Sequence, residues 1–349
     1  MNATLPVLTG IGSVTPYGPL AGLVPAEPLE PSAITAWTTP ELRRAFLVER
    51  FVPASIVPGA KTRRLDRLSA WALVAASLAL RNAGIDLSLM DRSRIAVFFA
   101  TGFGCVELTE AFFQSADANG WAGTDPITFP ETLHNAPASH VALFHDLRGP
   151  NVTVSSKSFA AESALLQAAS LLRHGQADMA IVLAGDTLTQ AVYEWYEAAN
   201  LLSPACFNSE PLPSASGFIP SEGMVAMVLE PAGRHAARPY AALCAGRWAA
   251  GGDARAAVRQ LLGDARLDFT ICTGNGAPCA SSSLTSLARD LVGEDAAIYP
   301  APAVAAGMGE AGGLLHLLLA LSKRPGQGQA LMLGRSAHGS FAALRLELF

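Results

Sequence analysis

A strand–turn–helix–strand pattern between residues 149 and 186 constrains the fold more than any other stretch of the chain. Residues 152–154 predict a short buried strand, residues 155–158 are typical of a turn, and apolar residues then recur at helical spacing up to Leu172. An apolar run covers residues 177–184. This order predicts a βαβ unit, in which a helix joins two parallel strands and covers one face of their sheet.

Ser158 stands at the end of the turn, where the helix is expected to begin. Free backbone N–H groups and the helix dipole favour negative charge at such a position, which suits a nucleophile in acyl transfer. A serine is also a favoured N-cap residue, worth about 1 kcal/mol of helix stability. A serine nucleophile is weak without a base, and the neighbouring Lys157 is one candidate to activate it. The residues alone leave both roles of Ser158 open.

The composition excludes several classes of protein. Half of the 349 residues are hydrophobic and 15% are charged, which favours an extensive core and a large buried interface over disorder. The net charge is −5 without a basic cluster, so we expect no nucleic-acid partner. The longest apolar runs fall short of the ~18–20 residues of a membrane span, and no leader is expected. Five cysteines without a CxxC pair predict reduced thiols in a cytoplasm. We expect neither a metal ion nor a cofactor.

Further segments extend the alternation of strands and helices. In the first half we expect a strand with a glycine turn at 7–18, a strand at 94–100, and helices ending near 83 and spanning 104–117 and 136–147. In the second half we expect strands at 240–247, 267–272, 329–334 and 342–348, and helices at 253–263, 280–292 and 309–322. Residues 25–58 are proline-rich and are expected to form a surface excursion.

Four segments together resemble the β-ketoacyl synthases, the thiolase-fold condensing enzymes of fatty-acid and polyketide synthesis. They are the strand and glycine pattern at 7–18, the segment Arg63–Ser69, the central stretch from Gly149, and a Gly-Phe-x-x-x-Glu-Gly motif at 217–223. In that family Gly-Pro-Asn leads a strand into Thr-Ala-Cys, whose cysteine carries the acyl chain. Here Ser156-Lys157-Ser158 occupies the three places, so Ser158 falls on the nucleophile position.

The resemblance implies an α/β fold of the thiolase type. In that fold two pseudo-repeated βαβ halves form a five-layer α-β-α-β-α sandwich. We expect the first ketosynthase-like half to span residues 1–232, and the second, which is short for the family, to span residues 239–349. A linker rich in proline, glycine and arginine lies between them.

The resemblance also implies that the catalytic set is missing. Family members place two histidines in His-Gly-Thr-Gly-Thr and Gly-His-x-x-Gly-Ala-Ala-Gly motifs, and Thr273 and Ala306 stand at those positions. The gate near the C-terminus falls on residues 336–339, without the family's phenylalanine. His338 lies in that segment and is a further candidate to activate Ser158. No catalytic residue is therefore expected.

A retained scaffold without a catalytic set is typical of the chain-length factors, or ketosynthase β subunits, of type II polyketide synthases. The resemblance implies a non-catalytic subunit that forms a heterodimer with a catalytic ketosynthase, shapes its acyl tunnel and works with an acyl carrier protein. Glutamine is common at the nucleophile position of such subunits, so the serine places this chain in a divergent branch, similar to the subunits of aryl-polyene systems. Phe112 and Phe113 are candidate tunnel residues that limit chain length, with core packing as the alternative.

Two alternative functions stay open for the chain. A serine acyltransferase or hydrolase on the same fold would use Ser158, and a non-catalytic homodimer would bind a carrier protein or a lipid. The arginines of the segment Arg63–Arg67 are expected to be solvated or ion-paired, with docking of an acidic carrier protein as the alternative. His134, His140 and His145 match no catalytic position and are expected at capping or surface sites.

Overall fold

The chain folds as a mixed α/β protein, and the computed structural model describes it in segments. These are residues 5–25, 27–37, 42–60, 65–157, 159–207, 217–234, 239–249, 254–273, 278–292, 297–299, 305, 308, 311–323, 327–336 and 340–349. The strands are β1 (Pro6–Thr15), β2 (Gly18–Ala21), β3 (Ser32–Ala33), β4 (Arg44–Ala45), β5 (Ile95–Thr101), β6 (Asn151–Ser155), β7 (Met179–Asp186), β8 (Gly223–Pro231), β9 (Ala241–Ala249), β10 (Phe269–Thr273), β11 (Ala297–Tyr299), β12 (Gly328–Arg335) and β13 (Phe341–Leu348). The helices are α1 (Pro53–Ile56), α2 (Arg67–Asn82), α3 (Val106–Asn119), α4 (Ala136–His145), α5 (Ala160–Arg173), α6 (Gln190–Ala198), α7 (Ala254–Leu262), α8 (Pro278–Val292) and α9 (Gly313–Lys323).

The strands of the large sheet repeat one arrangement twice. Their order is β11-β10-β12-β13-β9-β1-β8-β7-β5-β6. In the first half β5 is parallel to β6 and β7, whereas β8 is antiparallel to β7 and β1. In the second half β10 is parallel to β11 and β12, whereas β13 is antiparallel to β12 and β9. The predicted pseudo-repeat is therefore confirmed in topology, although the boundaries at 232 and 239 stay a prediction.

Helices complete five layers around the two sets of strands. The two sets join through β1 and β9, which pair at Val7 with Ala242 and at Leu8 with Ala241. α5 contacts strands of both halves, and α9 contacts α5, β7 and β10, so these two helices form the middle layer. α2 and α4 cover the outer face of the first set, while α7 and α8 cover that of the second. The predicted five-layer sandwich is confirmed.

The middle layer follows from the composition of its helices. The buried face of α5 is rich in alanine, which lets the helix approach both sheets closely. Its buried residues recur at the helical spacing predicted from the sequence. In α9 every residue from Gly313 to Leu321 is buried, as expected for a helix that is covered on all sides. Among the described residues, no helix is both long and apolar enough to cross a bilayer.

Gly10 and Gly12 allow close helix packing and do not form the predicted turn. β1 runs through both residues without interruption, and the turn lies between β1 and β2. A Cβ atom at Gly12 would lie 2.2 Å from the backbone oxygen of Ala75, and one at Gly10 would lie 2.4 Å from that of Ala79. α2 therefore packs directly on the backbone of β1, and the prediction of a turn at these glycines is wrong.

Candidate functional site

The candidate site is built from the ends of four strands. β5, β6 and β7 are parallel, so their carboxyl ends meet at one edge of the sheet, where α/β proteins commonly place functional groups. Their last residues are Thr101, Ser155 and Asp186. In the second half, Thr273 ends β10, which holds the same place in its half as β5 does in the first.

Asp186 is a buried carboxylate that organises the loop after β5. It accepts hydrogen bonds from the Thr101 hydroxyl and, at 2.9 Å each, from the backbone N–H groups of Gly102 and Phe103. Burial raises the pKa of this carboxyl to about 6, although the hydrogen bonds and the charge of Lys157 act in the opposite direction. Three donors from one loop indicate that Asp186 positions this loop.

Lys157 is directed towards the same loop. Its Nζ donates a hydrogen bond to the carbonyl oxygen of Gly102 at 2.5 Å and lies 3.4 Å from the centroid of the Phe103 ring. An ammonium group over an aromatic face is attracted by the negative face of the ring. The suggested activation of Ser158 by Lys157 stays a prediction, because Ser158 lies outside the described residues.

Thr273, the predicted replacement for the first family histidine, donates a hydrogen bond to a buried acid. Its hydroxyl lies 2.6 Å from Oε1 of Glu162, in the first turn of α5, and both residues are 2% exposed. Burial raises the pKa of Glu162, against the hydrogen bond from Thr273. The carboxyl also approaches α9 closely, because a Cβ atom at Gly313 would lie 2.8 Å from its Cδ. A side chain of the first half therefore bonds to the second half at this position.

Sequence reasoning missed Glu162, although a signal was present. The residue interrupts the alanine-rich stripe of α5 and yet lies on its buried face. A charged residue in such a stripe requires a partner. The partner, Thr273, lies 111 positions away along the chain, so the sequence could indicate that a partner exists but not which residue it is.

The other degenerate positions lie outside the described residues. This holds for Ser158, Ala306 and His338, so the absence of a catalytic set stays a prediction. The residue that follows Ser158, Phe159, has a left-handed backbone with φ 55° and ψ 38°. That conformation costs a bulky residue on the order of 1–3 kcal/mol and is often found at functional turns. The Phe159 ring packs against Gly334, where a Cβ atom would lie 2.7 Å from its Cε1.

Phe112 and Phe113 belong to a partly exposed aromatic surface, which we define as Phe112, Phe113, Trp121 and Phe129. Phe113 is 56% exposed and lies 6.2 Å from Trp121 between ring centroids, while Phe112 lies 5.8 Å from Phe129. Trp121 and Phe129 are also more than half exposed. Phe113 is therefore not a core residue, and the alternative of core packing does not hold for it. The tunnel role of the two phenylalanines stays a prediction.

The histidines do not all conform to the expected surface positions. His140 lies 2.6 Å from a carboxylate oxygen of Glu131. His145 is half-buried, its Nε2 lies 3.1 Å from Oγ of Ser77, and burial lowers its pKa to about 4. The expectation of a surface or capping role is therefore wrong for His145. Among the described residues, no group of three or more histidines, cysteines and acids could hold a metal ion.

His134 contacts one of the strand ends. Its Nδ1 lies 2.9 Å from Oγ of Ser155, and both residues are exposed. The sequence contained no indication of this pair, because His134 lies in an irregular loop 21 positions before Ser155.

A cavity of about 840 Å³ lies beside the start of α2, lined by the N-terminal excursion and the loop after β7. Arg67 projects into it and pairs with Glu107 at 2.9 Å and with Glu222 of the Gly-Phe-x-x-x-Glu-Gly motif at 3.0 Å. The expected ion pairing is therefore confirmed for Arg67, whereas Arg63 and Arg64 lie outside the described residues.

Comparison with known proteins identifies the family. The model of the β-ketoacyl synthase N-terminal domain matches residues 29–235. Nodulation protein E of Rhizobium leguminosarum bv. trifolii is 28% identical over 83% of this chain and 78% of its own length. The 3-oxoacyl-[acyl-carrier-protein] synthase 2 of Vibrio cholerae is 28% identical over 64% of this chain, which spans 57% of that enzyme. The solved structure of the ishigamide ketosynthase/chain length factor superposes with a TM-score of 0.77 at 23% identity, covering 99% of both chains. The chain therefore has the thiolase-like fold and belongs to the β-ketoacyl synthase family.

Proposed function

We propose that this chain is a non-catalytic, chain-length-factor-like subunit of a type II polyketide or polyene synthase. In this role it forms a heterodimer with a catalytic ketosynthase and shapes the acyl tunnel of the pair. The observation that carries the proposal is the aromatic surface. The similar structure of the ishigamide ketosynthase/chain length factor supports the same role.

The aromatic surface favours a permanent partner. Phe113, Trp121 and Phe129 are each more than half exposed. Ile127 and Leu133, which flank Phe129 in the chain, are 74% and 45% exposed. Contiguous exposed apolar side chains typically mark a protein interface. Obligate interfaces in particular resemble a core that is cut in half.

β6 supplies a second element of that interface. It is the last strand in the sheet order, so one of its edges has no neighbouring strand among the described residues. α4 packs against β6 and also against the loop that carries Phe129, so the free edge and the aromatic surface lie near each other. A partner that adds both a strand and an apolar face would cover the two together.

The chemistry at the end of β10 supports a non-catalytic role. A condensing site needs imidazole donors to stabilise the enolate and the oxyanion. Thr273 has no imidazole, and its hydroxyl proton is already donated to Glu162. Thr273 therefore links the second half of the chain to the first and supplies no catalytic donor.

The proposed subunit works with an acyl carrier protein as well as with the ketosynthase. The name of the Vibrio relative includes an acyl carrier protein as the substrate carrier of that enzyme. We propose that the carrier delivers extender units to the catalytic partner, while this chain contributes wall residues to the tunnel.

Co-expression with the ketosynthase from the same gene cluster tests the proposal. Native mass spectrometry should detect a 1:1 complex, and the double variant Phe113→Ser, Trp121→Ser should lose it while staying folded. Trp248→Ser is the matched control, because Trp248 is also 51% exposed but lies on β9 in the second half. A homodimer that persists in the presence of the ketosynthase would overturn the proposal.

An activity assay separates this role from a serine enzyme. The chain alone should not condense malonyl-carrier substrate, whereas the complex should. Condensation by the isolated chain would overturn the proposal. An acyl adduct that intact-mass analysis detects on the isolated chain, and that disappears in Ser158→Ala, would instead establish the alternative serine acyltransferase or hydrolase.

A further inference from the structure

We infer that Ser155 and His134 form a nucleophile–base pair that accepts acyl groups from small acyl thioesters. The site uses residues other than Ser158. It lies at the carboxyl end of β6, beside the edge that the proposed partner would cover, so the isolated chain is the form in which it is tested. The side chains of both residues are open to solvent there.

The geometry fits proton transfer between the two side chains. Oγ of Ser155 lies 2.9 Å from Nδ1 of His134, which is within the distance required between a nucleophile and its base. The imidazole ring packs on the backbone of Gly104, which has a φ of +64°. A Cβ atom at Gly104 would lie 2.2 Å from Cδ2 of the ring, so only glycine leaves room for this ring position. The ring is therefore held in place by this packing.

The protonation state of His134 suits a base. Partial burial and the charge of Lys157 lower the pKa of His134 from its ordinary value of 6.5. This lowered pKa favours the neutral form of the imidazole, which is the form that can accept a proton. In the tautomer that carries its proton on Nε2, Nδ1 accepts the hydroxyl proton of Ser155.

Two other serine–histidine pairs in the described part of the chain lack this capacity. Ser77 lies 3.1 Å from His145, but it donates its hydroxyl proton to the carbonyl oxygen of Leu73 at 2.8 Å, and it is buried. The pair of Ser170 and His174 is exposed, with 3.4 Å between Oγ and Nδ1. There Nδ1 also lies 2.8 Å from the backbone oxygen of Ser170. Since a carbonyl oxygen only accepts, this Nδ1 carries a proton and cannot act as a base.

The reaction follows from the pair. Oγ of Ser155 attacks the carbonyl carbon of the thioester while its proton passes to Nδ1 of His134. The carbon–sulfur bond then breaks, and the leaving thiolate takes the proton from the imidazolium. The products are a Ser155 ester and a free thiol.

Acyl labelling of the purified full-length chain tests the inference. With S-acetyl-N-acetylcysteamine as donor, intact-mass analysis should detect one added acetyl group, and peptide mapping should place it on Ser155. Ser155→Ala and His134→Gln should each reduce the labelling rate, by about 100-fold for the loss of the base. Ser170→Ala is the matched control and should label at the rate of the unmodified chain.

The pH dependence adds an independent readout. Because the base is active when neutral, the labelling rate should be level between about pH 7 and pH 8 and should fall in acid as His134 gains a proton. Ser155→Cys should still label and should keep its dependence on His134. Labelling that maps to Ser158 or to a lysine, labelling that is unaffected by His134→Gln, or no adduct at millimolar donor overturns the inference. Circular dichroism of each variant shows whether its fold is retained.

Discussion

Glu162 is the residue at which this chain departs most clearly from an ordinary buried helix face. A carboxyl that is 2% exposed is costly to ionise, and Thr273 supplies one hydrogen bond to it. Its place in the first turn of α5 reduces the cost, because the helix dipole favours negative charge there. Burial nevertheless dominates, since the pKa of Glu162 is raised in the folded chain.

Glu162→Gln should remove a pH dependence of stability. In the unfolded chain the carboxyl has its ordinary pKa of 4.5, whereas in the folded chain that pKa is higher. The folded state therefore holds this proton more tightly, and the unmodified chain loses stability as pH rises through and above 4.5. The glutamine of the variant cannot ionise, and its amide oxygen can still accept from Thr273. Urea unfolding between about pH 5 and pH 8 should give a growing advantage to the variant, which levels off above the folded-state pKa. If the stabilities of the variant and the unmodified chain changed with pH in the same way, Glu162 would not be the source of the pH dependence.

At the scale of elements, the outer helix layer of the first half depends on the close packing of α2 against the backbone of β1. Replacement of Gly12 by alanine should destabilise the chain by about 1–3 kcal/mol, because the new Cβ atom would meet the backbone of Ala75 and not a movable side chain. Chemical unfolding measures the loss. Gly18→Ala is the control for added volume, since a Cβ atom there meets nothing within 4 Å and only its positive φ is strained. A Gly12→Ala variant as stable as the unmodified chain would contradict the packing explanation.

The sequence predicted the elements better than their contacts. The apolar periods of α5 and β7 were long enough to define both elements, and the resemblance supplied the layers. β11 was missed because three residues, Ala297–Tyr299, are too short to show a period. The glycines of β1 were misinterpreted because a turn and a close helix contact need the same residue type. Contacts such as that of Ser155 with His134 join distant positions and leave no periodic signal.

At the scale of the whole molecule, the aromatic surface is the part of the chain that the ketosynthase partner covers in the proposed heterodimer. In the proposed heterodimer, Phe112→Ala should lengthen the polyketide product, because a smaller side chain at the tunnel wall leaves room for further extension. Mass spectrometry of products from the complex measures chain length. Phe144→Ala serves as the control, since Phe144 is 40% exposed on α4 but is not part of the aromatic surface. Unchanged products with an intact complex would remove Phe112 from the tunnel.

The shared strand order has a consequence for how this molecule arose. A polypeptide of half the length could build the same layers by associating with a copy of itself, so the present chain is what gene fusion of such a pair would leave. Thr101 and Thr273 end the equivalent strands β5 and β10, and each gives its hydroxyl proton to a buried acid. The acid that accepts from Thr101 is Asp186, in the same half of the chain. The acid that accepts from Thr273 is Glu162, in the other half. The equivalent hydroxyl therefore stabilises a contact within the first half at one position and joins the two halves at the other.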